Sequence, residues 1–294
     1  MNNIEKIELK KIDSFKDHPF RVNNDESLRD LITSIKENGL LNPLTVRKKD
    51  DGRYELISGH RRKLAMESLG IDKADAYVKE LTDDEATIEM VDSNMYREKI
   101  LPSEKAFAYK MKLDAMKHQG KTSATELHKL KSRQKVGLEN GDSGENVRRY
   151  IRLTNLIPEL MQLVDDTVLK DKRAALTMGI KPAVELSYLN KEQQELVYAG
   201  ITYEDLTPSH AQAIKIRQLA KDKLLNFDSL EDILLQEKGN QREKITFNKE
   251  RIEKALPSDI LKRDKKYVEQ YIIKAIDYYK TAELERGDDY DLDM

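Results

Sequence analysis

The chain has 294 residues, 38% of them hydrophobic and 36% charged, with a formal net charge of −2 and no cysteine. That length accommodates two or three small domains. The missing cysteines exclude disulfides and thiolate metal sites, and no run of about 18 apolar residues offers a membrane span.

The first hundred residues alternate strand and helix signals. Glu8 to Ile12 reads as a short strand. Asn24 and Asp25 are N-cap residues for a helix carrying Leu28, Leu31, Ile32 and Ile35 on one face, closed by Gly39. Leu44 to Arg47 and Tyr54 to Ile57 read as strands around an Asp51-Gly52 turn. Ser58-Gly59 leads into a helix from His60 to Leu69, closed by Gly70. Ala74 to Val78 is a further strand, and Thr82-Asp83 opens the next helix. After Pro102 the strand signal vanishes. Helices with breaks at Gly120, Gly141 to Gly144, Pro158, Pro182 and Pro208 run to about residue 236. The polar segment Glu237 to Glu243 reads as a linker. Val268, Ile272, Ile273, Ile276 and Tyr279 then form an apolar stripe on a final helix, before the acidic end ELERGDDYDLD. The expected architecture is an α+β domain over 1–100, an all-α domain over 101–236 and a small, mainly helical C-terminal region over 244–294. The N-terminal MNNIEKIELKK is charged throughout, so no secretory signal is expected and the cytoplasm is the expected compartment.

Two segments bear on phosphate chemistry. Ser58-Gly59-His60-Arg61-Arg62 joins a strand to a helix, where free N–H groups and the helix dipole favour an anion. Gly59 admits close approach, and Arg61 and Arg62 supply charge-assisted donors. On these five residues alone, a solvated basic helix start explains them as well. Asn94-Met95-Tyr96-Arg97-Glu98 ends a second helix, with Asn94 and Arg97 as ligand donors and Glu98 as a carboxylate for an arginine or a metal ion. Neither His60 nor His118 has another histidine at metal-pair spacing, and no zinc site is assigned.

A third segment bears on DNA. Between Lys110 and Lys135, eight Lys/Arg stand against Asp114 and Glu126, a local net of +6. A short helix from Ser132 to Asn140, a turn over Gly141 to Gly144 and a second helix from Glu145 to Leu156 have the lengths of a helix-turn-helix near 132–156. Val147, Tyr150 and Ile151 face inward. Arg148 and Arg152 share an outward face with Arg149 beside them, and Ser143 and Asn146 sit at the N-terminus, where base edges are read. The alternative is a solvated basic face.

The runs HPFRVNND (18–25), GLLNPLTVR, DGRYELISGHRRKLA, SNMYREKILPSEKAFAY and GENVRRYIRLTNLIPEL together resemble the ParB/RepB-type partition protein family, in motif order and spacing, over about residues 4 to 200. The resemblance implies an N-terminal domain that binds CTP and Mg²⁺. It implies triphosphate contacts at Gly59, Arg61, Arg62, Asn94, Arg97 and Glu98, with Arg21, Ser58 and His60 completing the site and Glu98 the candidate Mg²⁺ ligand. It also implies a homodimer on double-stranded DNA, associated with a nucleoid or plasmid and with no membrane, and a partner ATPase of the ParA type. Two departures favour nucleotide binding over hydrolysis: Arg21 stands where the family commonly has Gln, and Ser93 replaces its usual Glu, so weak CTP hydrolysis is the most that is expected. His60 likewise replaces a common Glu. The reading is a CTP-dependent DNA clamp on a centromere-like site. The alternative is a helix-turn-helix transcriptional regulator whose N-terminal domain ignores nucleotide. A nuclease is least supported, since no Asp/Glu/His cluster offers a catalytic metal site.

Overall fold

The structure is a computed structural model and describes residues 3–21, 25–97, 99–119, 126–169, 176–236, 252 and 254–286. The chain divides into two compact units, 1–236 and 237–294.

The first unit opens with β1 (Asn3–Glu8), a 3-10 turn (Leu9–Lys11) and the short β2 (Ile12–Asp13). The single strand expected over Glu8 to Ile12 is therefore corrected. Leu9 donates its N–H to Asp72 O at 2.8 Å and the chain bends there, so β1 and β2 end at opposite edges of the sheet. Next come α1 (Glu26–Asn38), β3 (Leu44–Lys48), β4 (Tyr54–Ser58), α2 (His60–Ser68), β5 (Lys73–Lys79) and α3 (Asp83–Met95). Asp25 caps α1, its carboxylate accepting the Leu28 N–H at 2.9 Å. Thr82 caps α3 in a reciprocal pair with Glu85.

The sheet order is β1-β5-β3-β4-β2. β1/β5 and β3/β4 are antiparallel, while β3/β5 and β2/β4 are parallel. Alternation along β4 divides its side chains between two cores. Leu56 packs with Leu44, Val46 and Ala76 and with Leu28, Ile35 and Ala65 of α1 and α2. Its neighbour Ile57 packs with Phe15, Phe20 and the α3 residues Met90 and Val91.

Beyond β5 the described residues are helical: α4 (Pro102–His118), α5 (Glu126–Glu139), α6 (Gly144–Leu153), α7 (Pro158–Leu169), α8 (Ile180–Leu186), α9 (Lys191–Glu204), α10 (His210–Lys221) and α11 (Phe227–Leu234). Leu153, Leu160, Leu186, Ile201, Ile216 and Leu230 form the centre of their core without exposed surface. The expected core residues Val184, Leu186 and Leu189 are buried. Four boundaries differ from expectation. Pro182 does not break a helix but lies in the first turn of α8, where its missing N–H has no intrahelical partner to lose. α5 begins at Glu126 rather than Ser132, and Gly144 belongs to α6 rather than to the turn. α6 ends at Leu153 because residues 154–156 tighten into i→i+3 bonds, such as Leu156 N–H to Leu153 O at 2.9 Å, ahead of Pro158. Gly120, the linker 237–243 and the acidic end from 287 lie outside the described residues.

Asp165 of α7 joins the α/β layer to the helices. It is fully buried, and its oxygens accept the Ser103 N–H at 2.8 Å and the Ser103 Oγ–H at 2.6 Å. Arg21 Nη2 approaches at 3.6 Å. In the second unit, α12 (Lys265–Arg286) carries the expected apolar stripe, and Ile273 and Ile276 on it are 52% and 60% exposed.

Asp165→Ala would strip two buried donors of their acceptor. We expect the unfolding free energy to fall by about 1–3 kcal/mol, read from urea denaturation at unchanged slope. An unchanged midpoint would remove Asp165 from its joining role.

Candidate functional site

β4 passes into α2 through Gly59, which has φ +107°. A Cβ there would lie 2.7 Å from Leu44 Cδ2 and 3.2 Å from Arg62 Nη2, so only glycine fits. Among the described residues no side chain caps α2, so its first N–H groups and positive dipole end have the character that favours an anion. The two arginines that follow are held by protein groups. Arg61 Nη2 donates to Asp25 Oδ1 at 3.0 Å and Ser27 Oγ at 2.7 Å, and Arg62 Nη1 donates to Asn42 O at 2.6 Å and Pro43 O at 2.7 Å. Burial lowers the Arg62 pKa. Ser58 pairs with Thr45 at the end of the hairpin and is half-buried.

The loop 18–21 and the end of α3 meet this turn. The His18 and His60 rings lie 3.9 Å apart, a proximity that sequence spacing did not reveal. His18 Nδ1 sits 2.8 Å from Phe20 O, so the neutral ring carries its proton on Nδ1 and leaves a lone pair on Nε2. Among the described residues, the Nε2 atoms of both rings are buried without a partner. Burial, then the charges of His18, Arg97 and Lys63, push His60 down to about 3, and burial also lowers His18. Arg97 lies over the Phe20 ring at 5.2 Å. Burial lowers its pKa, Glu104 opposes that, and Arg61 adds to it. A desolvated cation beside a second cation is relieved by an anion.

Other expected contacts are placed differently. Asn94 is buried, and its amide donates back to Met90 O at 2.8 Å and to Ser93 Oγ at 3.3 Å. It closes its own helix rather than facing a ligand. Arg21 is fixed through its backbone, its N–H donating to Glu104 Oε1 at 2.7 Å, while its side chain reaches toward Asp165. Glu98 lies outside the described residues, and with it the expected Mg²⁺ ligand. Among the described residues no group of three His, Cys, Asp or Glu could hold a metal ion. Sequence reasoning did not single out His18, Phe20 or Glu104. The first two stand in the quoted run HPFRVNND, and Glu104 is three residues past the N-cap of α4, where a carboxylate reaches back to the Leu101 N–H at 3.0 Å.

The second candidate surface is α6. Ser143 caps it, its Oγ accepting the Asn146 N–H at 3.1 Å. The turn before α6 folds tightly on α5, because a Cβ on Gly137 would lie 2.6 Å from Asp142 O. Asp142 is anchored to Tyr109 Oη and Lys105 Nζ, both at 2.6 Å. Burial would raise the Asp142 pKa, but these two donors outweigh it and lower it. Val147 is buried, and Tyr150 and Ile151 are half-buried. Arg148 is exposed and pairs bidentately with Glu145 at 2.9 and 2.7 Å, and Arg149 reaches Asn146 Oδ1 at 3.4 Å. Arg152 departs from the expected outward face. It donates to Ser187 Oγ at 3.1 Å and Ser187 O at 2.7 Å, directed at the end of α8.

A glycine-turned helix start on a mixed sheet followed by helices defines an α/β domain joined to a helical region. Residues 1–95 match the family model of the ParB N-terminal domain. The chromosome-partitioning protein Spo0J of Thermus thermophilus is 33% identical over 193 residues, 66% of this chain and 63% of that protein. A nucleoid occlusion protein of a Geobacillus species is 26% identical over 232 residues, 79% of this chain and 68% of that protein. A solved Caulobacter crescentus ParB complexed to the centromeric parS site aligns with 74% of this chain and 99% of its own, at 20% identity and a TM-score of 0.41. Among the described residues no helix is long and apolar enough to cross a membrane.

The buried histidines set a pH dependence. Above about pH 6.5 they are neutral folded or unfolded. Below it the unfolded chain binds protons that folded His60 refuses until about pH 3, so their contribution is full above 6.5 and is lost as pH falls toward 3. Between about pH 6.5 and 5 most carboxylates stay ionised, which isolates the effect. The melting temperature is expected to drop across that window, and less steeply for His60→Gln. Parallel profiles for the two proteins would refute this account.

Proposed function

We propose that this chain is a sequence-specific DNA-binding partition protein that binds CTP and closes as a nucleotide-gated dimeric clamp on a centromere-like site. The observation that carries the reading is the convergence of three chain segments on one helix N-terminus: residues 18–21, the turn 58–62 and Arg97. A triphosphate fits this place. The chain offers uncapped N–H groups, an Arg62 set by the carbonyls of residues 42–43 and a desolvated Arg97, and among the described residues two buried imidazole nitrogens have no partner. The choice of CTP rests on the motif resemblance, and the curated relatives are partition and nucleoid occlusion proteins. A bound triphosphate would supply the negative charge that draws loop 18–21, α2 and the residue after α3 together.

In the same reading, α5 and α6 act as the helix-turn-helix. Ser143, Asn146, Arg148 and Arg149 face the duplex, Arg152 supports them, and Lys/Arg donors grip phosphate. The exposed apolar face of α12 holds two copies together. Mg²⁺ at Glu98 and a ParA-type ATPase partner remain part of the reading through resemblance. The transcriptional regulator is favoured instead by two observations: the inward-facing Asn94 and the engagement of Arg61 by Asp25 and Ser27.

Calorimetric titration of CTP, ATP, GTP and UTP, with and without Mg²⁺, separates the two. Selective CTP binding is expected, weakened at least roughly tenfold in Arg97→Ala, a loss of about 1.4 kcal/mol. No heat from any nucleotide at millimolar concentration would leave only the regulator.

A further inference from the structure

Tyr188, just past the end of α8, sits between two arginines from different helices. Arg152 of α6 has its Cζ 3.9 Å from the ring centroid, and Arg217 of α10 has its Cζ 3.6 Å away. Two guanidinium groups that close to one centroid cannot share a face without overlapping, so the ring is held between them. Each is fixed a second time: Arg152 by Ser187 Oγ and O at 3.1 and 2.7 Å, and Arg217 by Glu185 Oε2 at 2.9 Å. Glu185 also lies 3.8 Å from His210 and offsets the repulsion between cations gathered on one ring. Arg148 lies in the same set: its Glu145 partner first, and then the Tyr188 hydroxyl, hold its pKa above the ordinary value.

An exposed arginine loses rotamer freedom when it must take one geometry at a base edge. Ordering the face before binding removes part of that cost. An aromatic ring gripped on both sides does this without a covalent tie. Nothing in the sequence patterning of α6 demands such a partner on α8 or α10.

We infer that Tyr188 is a positioning residue for DNA reading, clamped by Arg152 and Arg217 so that the exposed side of α6, with Arg148 and Arg149, is presented to the groove in one orientation. This rests on the proposal that α6 reads DNA. Tyr188 itself touches no base. Its effect is on discrimination between sequences rather than on general attraction to phosphate.

The test uses the full chain. A duplex is selected from a random pool with the wild-type protein. Fluorescence anisotropy on that duplex and on a scrambled one of equal length, at several salt concentrations, compares wild type with Tyr188→Ala, Tyr188→Phe and Arg217→Gln. Tyr188→Ala is expected to lose roughly tenfold on the selected duplex and little on the scrambled one, with an unchanged salt slope. Tyr188→Phe, which keeps the ring faces, is expected to restore most of the discrimination. Arg217→Gln, on an exposed side chain, is expected to reduce it and carries the test if Tyr188→Ala does not fold. Equal losses on both duplexes, an undiminished ratio in Tyr188→Ala or Arg217→Gln, or no recovery in Tyr188→Phe would overturn the inference. A wild-type protein that selects no sequence would instead overturn the DNA-reading proposal beneath it.

Discussion

Asp165 has no exposed surface, and Glu104 retains only 5%. Carboxylates withdrawn from water cost several kcal/mol each unless donors replace the lost hydration. The donors that replace it here come from three places: the Ser103 N–H and hydroxyl, the Leu101 N–H, and Arg21 through both backbone and guanidinium. These bonds determine where α4 starts against α7 and where loop 18–21 lies against both. Because that loop carries His18 onto His60 and Phe20 under Arg97, the geometry around the start of α2 depends on two acids that hold the loop through Arg21.

A similar device supports α5 and α6. Lys112 of α4 is 3% exposed and pairs with Asp92 of α3 and Glu139 of α5, while Lys105 and Tyr109 hold Asp142 in the turn between α5 and α6. At least one of the lysines counted in the +6 segment is therefore committed to packing. The positive charge left to solvent in that segment is smaller than the local sum. Charged residues that looked like one basic surface divide into supports and candidate contacts according to burial.

Legibility in the sequence followed the range of the interaction. Asp25 and Thr82 cap helices as their residue types and positions imply, because a cap is decided within three residues. The β3–β4 hairpin and the passage through Gly59 into α2 were legible for the same reason. The break of the first strand at Leu9 was not, since its cause is the carbonyl of Asp72, over 60 residues away. Nor was Pro182, whose place in a first turn looks identical to a helix break when only the neighbours are considered.

Sequence by itself determined the element types, the glycine turn with its two arginines, the amphipathic α6 and the family motifs that connect them, because these arise from short-range backbone preferences and fixed spacing. Only the tertiary structure decided which of the singled-out residues face outward. It turned Asn94 into its own helix, sent Arg152 to Ser187, and brought His18 against His60. The physical reason is that spacing fixes the face of a helix on which a side chain lies, whereas its partner depends on which buried charges and donors must be satisfied once distant segments pack.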